Sequence, residues 1–258
     1  MRKKRNNDLQ LTIGWLYPDL MSTYGDRGNI IVLEKRANWR GIKVIINKIS
    51  LESSEEQIRK SDFIFMGGAQ DKQQEIVNKD LLNKKGKALV EVLNKGKPGL
   101  FICGAYQFLG KYYKAADGTL IKGLAVFDLY TENPGLKYKR LIGDLIIDAC
   151  LPDDRKSLIR LVGFENHGGR TYLTDQNCAF GRVVSGYGNN GKDKTEGIIY
   201  KNTIGTYLHG PLLPKNPQLI DFLIEKALLV KYGKKIKLYQ MKDLIEQKAK
   251  EVIFKRYL

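Results

Sequence analysis

The first 110 residues alternate short apolar runs with segments in which apolar residues recur at helical spacing. The apolar runs occupy residues 9–17, 42–50, 63–66 and 100–102, and the helical segments occupy 29–39, 54–60 and 73–95. Buried strands that alternate with helices form mostly parallel sheets with helices on both faces. The pattern therefore predicts an α/β core of this kind.

Short strands replace this pattern after residue 117, separated by turns rich in Gly, Asn and Asp. They are predicted at about 121–131, 141–149, 158–164, 179–187 and 196–207, and two helices follow at about 216–231 and 239–256. The sequence NNG at 189–191 predicts a hairpin turn. Because no linker rich in Pro or Ser interrupts the chain, we expect one domain over 9–213 with a C-terminal helical extension over 214–258.

Cysteine usage and hydropathy limit the class of protein. With 258 residues, of which 43% are hydrophobic, the chain can build one well-filled core. Its three cysteines, at positions 103, 150 and 178, form neither a disulfide framework nor a paired metal-ligand motif. We therefore expect a cytoplasmic protein with no metal and no cofactor. The basic N-terminus precedes a broken apolar run, so we expect neither an export signal nor a transmembrane segment.

Basic residues outnumber acidic ones by 44 to 28, which gives a net charge of +16. They are mostly lysines spread along the whole chain, without the interleaved aromatic residues of a nucleic-acid motif. We therefore expect a solvated surface and no nucleic-acid partner. The one local concentration, residues 231–258 with a net charge of +6, could meet an acidic partner or the anionic inner face of a membrane.

Cys103 lies at the predicted junction between a strand that ends at Ile102 and a helix that begins at Gly104. Small residues at 104 and 105 allow a sharp turn there. A helix N-terminus also offers unpaired N–H groups and a positive potential that favours a thiolate. Cys103 is therefore a candidate nucleophile, and the alternative is a buried core cysteine.

Two histidines are candidates for the base, and each follows a predicted strand. His209 ends the run 203–208, so it could reach the sheet edge at which Cys103 is expected. A neutral imidazole there could take the thiol proton, as in the Cys and His pairs of acyl transfer. His167, in GFENHGGR, is the competing base, and we favour His209. A structural hydrogen-bonding role is the alternative for either residue.

Gly67 and Gly68 follow the run 63–66 at the same predicted edge. Amides that turn toward a developing oxyanion would stabilise a tetrahedral intermediate, although most double glycines only end a strand. The segment GYGNNGKD at 186–193 nearly matches a phosphate-binding loop. However, Asp193 stands where Ser or Thr would hold magnesium, and a strand follows. We therefore predict a hairpin and no ATP site in this segment.

The strings MGGAQD, FICGAYQFLG and GTYLHGP, in this order, resemble the class I glutamine amidotransferases, most closely their cobyric acid synthase-like branch. In addition, LYPDLMSTYGDRGNI, GFENHGGRTY and GTYLHGPLLPKNP resemble the glutamine amidotransferase subunits of lipid II isoglutaminyl synthases. The similarity runs from about residue 11 to about residue 225. It implies a flavodoxin-like class I glutamine amidotransferase fold.

The resemblance also implies a role for each candidate residue. The nucleophile would be Cys103, the base His209, the glutamine contacts Gln107 and Arg140, and the oxyanion loop Gly67 and Gly68. A guanidinium suits the substrate carboxylate because it offers paired N–H donors. A surface cation beside Lys137 and Lys139 is the alternative for Arg140.

Two positions depart from the wider class. Ala105 replaces a second glycine after the nucleophile, and Pro211 stands where a glutamate would complete the triad. The resemblance therefore implies either a Cys and His dyad or a carboxylate from elsewhere in the chain. Glu165 is one candidate for that carboxylate.

The activity implied by the resemblance is that of a glutaminase subunit that splits L-glutamine through a cysteine thioester. Its ammonia would pass to a Mur ligase-like, ATP-using partner in a heterodimer, which would amidate the D-glutamate α-carboxylate of lipid II. The chain would then serve peptidoglycan synthesis in the cytoplasm, at the inner face of the membrane. The alternatives are an amidotransferase subunit for another acceptor, such as a corrinoid, and a catalytically silent scaffold subunit.

Overall fold

A six-stranded sheet lies at the centre of the computed structural model, which describes residues 9–69, 71–151 and 158–258. The elements in chain order are β1 (Gln10–Leu16), α1 (Arg27–Asn38), β2 (Lys43–Ile49), α2 (Glu56–Lys60), β3 (Phe63–Met66), α3 (Asp71–Asp80), α4 (Gly86–Asn94), β4 (Gly99–Ile102), α5 (Gly104–Phe108), β5 (Tyr112–Lys114), β6 (Leu120–Lys122), β7 (Leu129–Glu132), β8 (Leu141–Cys150), β9 (Leu158–His167), β10 (Arg170–Leu173), β11 (Gly181–Ser185), β12 (Thr195–Glu196), β13 (Ile198–Tyr200), β14 (Thr203–Thr206), α6 (Leu212–Lys215), α7 (Pro217–Tyr232) and α8 (Leu244–Tyr257).

The order across the central sheet is β13, β14, β4, β3, β1, β2. Every pairing in it is parallel except that of β13 with β14. Strands β3, β4 and β14 are buried at every residue, as expected for central parallel strands covered on both faces. The predicted α/β fold with a mostly parallel sheet is confirmed.

The second half of the chain forms two further four-stranded sheets, β10-β7-β5-β6 and β12-β11-β8-β9. The predicted strand at 196–207 is in fact three strands, because Gly197 (φ +60°) and Lys201 (φ +53°) turn the chain. The predicted strand at 121–131 is likewise two strands, β6 and β7. The hairpin predicted around NNG is confirmed, since β11 pairs antiparallel with β12.

Helical boundaries also differ from the prediction. The segment 73–95 is two helices separated by a π-helical turn, Leu81–Lys85, in which the Gly86 amide donates to the Leu81 carbonyl. At the C-terminus, α7 begins with Pro217 and ends at Gly233 in the left-handed conformation, whereas α8 begins five residues later than predicted. Leucine and isoleucine side chains of α7 are buried in the main core, so this helix packs as part of the fold.

A buried arginine joins the C-terminal helices to α1. Arg36 donates to both carboxylate oxygens of Asp221 and to Asp243, at distances between 2.6 and 3.0 Å. Paired, well-hydrogen-bonded charges of this kind are tolerated in a protein interior. The division between 9–213 and 214–258 remains a prediction.

Four neighbouring strands, β14, β4, β3 and β1, end at the same edge of the central sheet. Parallel strands bring the residues that follow them together at the carboxyl edge. The loops after these strands carry His209, Cys103, Gly67 with Gly68, and the segment 17–26. Residues 1–8 and Gln70 of the MGGAQD string lie outside the described residues. Among the described residues, no helix is both long and apolar enough to cross a bilayer.

A buried ion pair holds the loop after β1 to the π-helical turn. Lys85 is 1% exposed and donates to Asp80 Oδ2 at 2.6 Å and to the Leu51 carbonyl at 2.9 Å. The Tyr17 hydroxyl donates to the same Asp80 oxygen at 2.7 Å. Asp80 therefore neutralises the buried Lys85 ammonium and accepts from the Tyr17 hydroxyl.

We expect Asp80→Ala to lower the free energy of unfolding by about 3–5 kcal/mol, because it leaves the Lys85 ammonium buried and unpaired. Urea denaturation measures this loss. The double variant Asp80→Ala with Lys85→Met should recover most of it, since no uncompensated charge then remains. A loss below about 1 kcal/mol in the single variant would contradict the assignment.

Candidate active site

Cys103 adopts a strained backbone conformation, with φ +54° and ψ −110°, at the start of α5. Its amide donates to the Thr206 carbonyl at 2.9 Å, and its carbonyl accepts from the Gln107 amide at 3.0 Å. A non-glycine residue at positive φ costs on the order of 1–3 kcal/mol, so the surrounding contacts must enforce it. Such strain is concentrated at functional sites and argues against a merely structural cysteine.

A cavity of about 630 Å³ opens beside Cys103. Its lining includes the candidates Cys103, Gln107, Arg140 and His167, together with Thr23, Ala69, Lys72, Gln73, Gln74, Tyr113, Asn133, Asn166, Gly168 and Gly169. Candidates that are far apart in the sequence therefore share one cavity with Cys103. It is large enough for an amino acid and is lined mainly by polar side chains.

His209 lies beside Cys103. A β-carbon built at Gly68 would be 3.0 Å from His209 Cε1 and 3.2 Å from Cys103 Cβ, so the two side chains flank a single glycine. His209 is fully buried, and its backbone forms an isolated antiparallel bridge with Phe164 of β9. The imidazole is thus fixed both by the end of β14 and by the neighbouring sheet.

Asp26 is the carboxylate next to His209, and it was not among the residues predicted from the sequence. Its side chain is fully buried, with Oδ1 3.5 Å from His209 Nδ1 and Oδ2 accepting from the Gly68 amide at 2.7 Å. The residue lies in the loop after β1, distant in sequence from every other candidate. The available signal was topological, because β1 lies beside β3 and its following loop therefore reaches the same sheet edge.

The geometry at Gly68 differs from the prediction for the oxyanion loop. Its N–H is occupied by Asp26 and its carbonyl accepts from the Thr23 amide at 3.1 Å, so this amide does not face the cavity. Gly67 serves close packing instead. A β-carbon there would lie 2.5 Å from the Met21 carbonyl and 2.9 Å from Asp26 Oδ2. The double glycine therefore lets the loop after β1 approach β3.

Charges around His209 favour its protonated form. Burial by itself lowers the pKa of the imidazole, but the negative potential of Cys103 and hydrogen bonding with Asp26 and Cys103 outweigh it. Together they raise the pKa of His209 to about 10. The protonated imidazole of His209 is thus stabilised next to the cavity.

His167 has a different environment. Its Nδ1 is 2.8 Å from the Gly169 carbonyl, its Nε2 is 3.3 Å from Glu165 Oε2, and its ring stacks on Tyr207 with centroids 3.6 Å apart. Burial lowers the pKa of His167 to about 3. Both ring nitrogens are thus engaged by other groups, and the ring is neutral.

Glu165, the candidate third carboxylate, serves other partners. Its oxygens accept from the Tyr187 amide at 2.6 Å and the Gly188 amide at 3.0 Å, in addition to the contact with His167. Burial raises the pKa of Glu165 to about 7. The carboxylate that the structure brings to His209 is therefore Asp26, and Glu165 supports the opposite wall of the cavity.

A chain of hydroxyl groups holds Gln107 in place. The Gln107 Nε2 group donates to the Tyr207 hydroxyl at 2.9 Å, and that hydroxyl is 2.7 Å from Thr171 Oγ1, which in turn contacts Thr131 Oγ1. Gly169 permits this arrangement, because a β-carbon there would be 2.8 Å from Gln107 Nε2. The amide of Gln107 is thereby fixed at the cavity wall.

Arg140 lies at the outer end of the cavity, held by Asn166. Its Nε donates to Asn166 Oδ1 and its Nη2 to the Asn166 carbonyl, both at 2.9 Å. A β-carbon at Gly168 would be 3.0 Å from Asn133 Nδ2 and 3.4 Å from Arg140 Nη1, so the two donors converge over this glycine. Asn166 thus fixes the orientation of the Arg140 guanidinium. Nη1 and the second N–H of Nη2 are not used in these two hydrogen bonds. Among the described residues, no cluster of His, Cys, Asp or Glu could hold a metal ion.

We expect Asp26→Asn to lower the pKa of His209 below about 10, because it replaces an anion near the imidazole with a neutral amide. NMR titration of the two histidines measures this shift, with His167→Asn to assign the signals. The folded pKa of His209 exceeds its ordinary value of 6.5. The stability that protonation contributes is therefore complete below pH 6.5 and is lost as the pH rises through about 10. An unchanged titration in Asp26→Asn would exclude the interaction.

Two solved structures share this fold. One, titled a crystal structure of glutamine amidotransferase, aligns with a TM-score of 0.53 at 12% identity over 83% of this chain and 98% of its own. The other, the glutaminase domain of Trypanosoma brucei CTPS with bound acivicin, aligns with a TM-score of 0.56 at 11% identity over 89% of this chain and 97% of its own. At such identities the likeness concerns the fold alone.

Sequence relatives extend the comparison over nearly the full chain. The GatD subunit of lipid II isoglutaminyl synthase (glutamine-hydrolyzing) from Staphylococcus aureus is 44% identical over 96% of both chains. The subunit of the same name from Streptococcus pneumoniae is 41% identical over 96% of this chain and 92% of its own. A probable cobyric acid synthase from Methanopyrus kandleri is 30% identical over 50% of this chain. The model of the CobB/CobQ-like glutamine amidotransferase domain matches residues 12–217, and the chain belongs to that family.

Proposed function

We propose that this chain is the glutaminase subunit of a lipid II isoglutaminyl synthase, which hydrolyses L-glutamine through a cysteine thioester. The observation that carries the proposal is the buried arrangement of Cys103, His209 and Asp26 beside a cavity that also contains Arg140. The near full-length similarity to the two GatD subunits supports this choice of enzyme within the family.

The reaction begins when the Cys103 thiolate attacks the side-chain carboxamide carbon of glutamine. The His209 imidazolium then protonates the amide nitrogen, the C–N bond breaks and ammonia leaves, which gives a γ-glutamyl thioester. Neutral His209 next removes a proton from water, which attacks the thioester carbonyl. Glutamate leaves, and the thiolate and imidazolium are restored.

Asp26 orients the base in this scheme. With Oδ1 beside Nδ1, it favours the tautomer whose Nε2 exchanges protons with Cys103 and with the leaving nitrogen. Because Asp26 also occupies the Gly68 amide, we assign the oxyanion to the amides of Ala69 and Gly104, on either side of the nucleophile.

Arg140 binds the α-carboxylate of glutamine. Its Nε edge is occupied by Asn166, so the carboxylate is bound through Nη1 and Nη2, with Asn133 as a neighbouring donor. Gln107 lines the same cavity and contacts the body of the substrate. The two ends of the amino acid are thereby fixed relative to Cys103.

Ammonia needs an acceptor activated elsewhere, and we propose a Mur ligase-like, ATP-using subunit in a heterodimer with this chain. That partner would amidate the D-glutamate α-carboxylate of lipid II, in the cytoplasm at the inner face of the membrane. The matched relatives are themselves named as subunits, which supports a partner. The shorter match to cobyric acid synthases makes a corrinoid acceptor the second candidate.

We expect Cys103→Ala to abolish glutamine hydrolysis, with a loss of at least about 1000-fold in kcat, since no other group can form the thioester. Ammonia release is measured with and without the ATP-using partner. Cys178→Ala is the matched control, because this cysteine is exposed and should keep full activity. Equal ammonia release by wild type and Cys103→Ala would exclude the proposal and favour a scaffold subunit.

We expect Arg140→Gln to raise KM for glutamine by roughly 10- to 100-fold, with a smaller change in kcat, because a charge-assisted contact to the carboxylate is lost. Asn166→Ala should have a weaker effect in the same direction, since Arg140 remains but is less well oriented. Steady-state kinetics separate the two constants. A loss confined to kcat would contradict a binding role.

A further inference from the structure

Gln74 of α3 lies against both neighbours of the proposed oxyanion site. Its side chain is 6% exposed, and its Nε2 donates to the Ala69 carbonyl at 2.7 Å. A β-carbon at Gly104 would be 2.8 Å from Nε2 and 2.9 Å from Cδ of Gln74. The amide of this side chain therefore sits close to the nucleophile.

The carbonyl oxygen of this amide accepts no hydrogen bond from the described residues, and Gln74 lies where the Cys103 cavity meets an adjoining groove. Gln74 Oε1 is buried and has no hydrogen-bond partner among the described residues, and Gln74 lines the cavity that contains Cys103. The donation from Nε2 to Ala69 fixes which end of the amide is the oxygen. Buried acceptors in native proteins are nearly always satisfied, so an open one at a site points to a donor supplied by the ligand.

Glutamine and glutamate differ in whether their side chain can donate a hydrogen bond to such an acceptor. The carboxamide of glutamine carries two N–H donors, whereas the ionised carboxylate of glutamate carries none and only accepts. A carbonyl oxygen at the reacting end of the cavity would thus bind the substrate and repel the product. A site built to hydrogen-bond one group rejects the analogue that lacks it.

We propose that Gln74 is a specificity-determining residue whose Oε1 accepts a hydrogen bond from the side-chain –NH₂ of bound glutamine. The proposal rests on the function proposed above and extends it to the choice between amide and acid. After ammonia leaves and water opens the thioester, the new carboxylate faces the same oxygen. Product release is then favoured by the group that bound the substrate.

Two other side chains of α3 have a buried oxygen without a hydrogen-bond partner among the described residues. Gln73 lines the same cavity as Gln74. Only Gln74 of these two residues is hydrogen-bonded to Ala69 and lies against Gly104 in the described structure. Asn78, one helical turn farther along, lines an adjoining groove of about 750 Å³. It does not line the Cys103 cavity. Gln73 and Asn78 therefore serve as control positions for substitutions at Gln74.

The test is calorimetric titration of the full-length Cys103→Ala protein with L-glutamine and with L-glutamate. We expect Cys103→Ala to bind glutamine without hydrolysing it. We expect the ratio of the two dissociation constants to fall roughly tenfold in Gln74→Leu, because one hydrogen bond specific to the amide is lost. Asn78→Leu removes a comparable buried amide outside the Cys103 cavity and should leave the ratio unchanged. Gln74→Glu keeps an acceptor and should retain the preference for glutamine.

Four outcomes would count against the proposal. Equal weakening of both ligands in Gln74→Leu would show a packing role only. A change of the ratio in Gln73→Leu in place of Gln74→Leu would assign the acceptor to Gln73. If the Cys103→Ala protein bound neither ligand, the glutamine site and the proposed function would fail together, whereas selective binding with an unaffected ratio in Gln74→Leu would overturn only the role of Gln74.

Discussion

The buried carboxylate of Asp26 is the group on which the site depends. It joins the loop after β1 to the loop after β3 through Gly68, and it lies beside His209 after β14. A buried carboxylate is tolerated only when it is paired and hydrogen-bonded. The Gly68 amide and the His209 imidazole therefore stabilise Asp26, and Asp26 in turn holds both of them in place. Gly67 permits the approach because no β-carbon fits between it and Met21. The backbone of three loops is thus organised around one side chain.

The polar groups on the opposite wall of the cavity, His167 and Glu165, hold a loop in place. His167 and Glu165 are buried together, and burial favours the neutral form of each. In its neutral form, each of these groups holds a loop without adding a charge to the cavity. Tyr207 connects this wall to Gln107, so the amide at the cavity wall is fixed by hydroxyl groups and not by an ion. This wall therefore holds Gln107 through neutral hydroxyl groups, whereas Lys72 and Arg140 are cations that line the same cavity.

The sequence was sufficient to predict the parallel core and the placement of Cys103 and His209 at one edge of its sheet, because strand ends in such sheets meet there. It failed at Asp26, which stands in an ordinary loop where nothing in the local pattern separates it from a solvated aspartate. It also failed at Gly68, since the direction of an amide depends on a loop from another strand. The strand predicted at 196–207 was wrong because Lys201 adopts positive φ, which residue type alone does not indicate. Contacts between distant segments account for each of these failures.

The bridge between His209 and Phe164 gives the second half of the chain a mechanical role. Strand β9 belongs to the sheet of β8, β11 and β12, whereas His209 follows a strand of the central sheet. A displacement of the outer sheet would act on the backbone of His209 through this bridge, whereas Cys103 directly follows β4. A partner that bound the outer sheet and displaced it would therefore change the distance between Cys103 and His209 without entering the cavity.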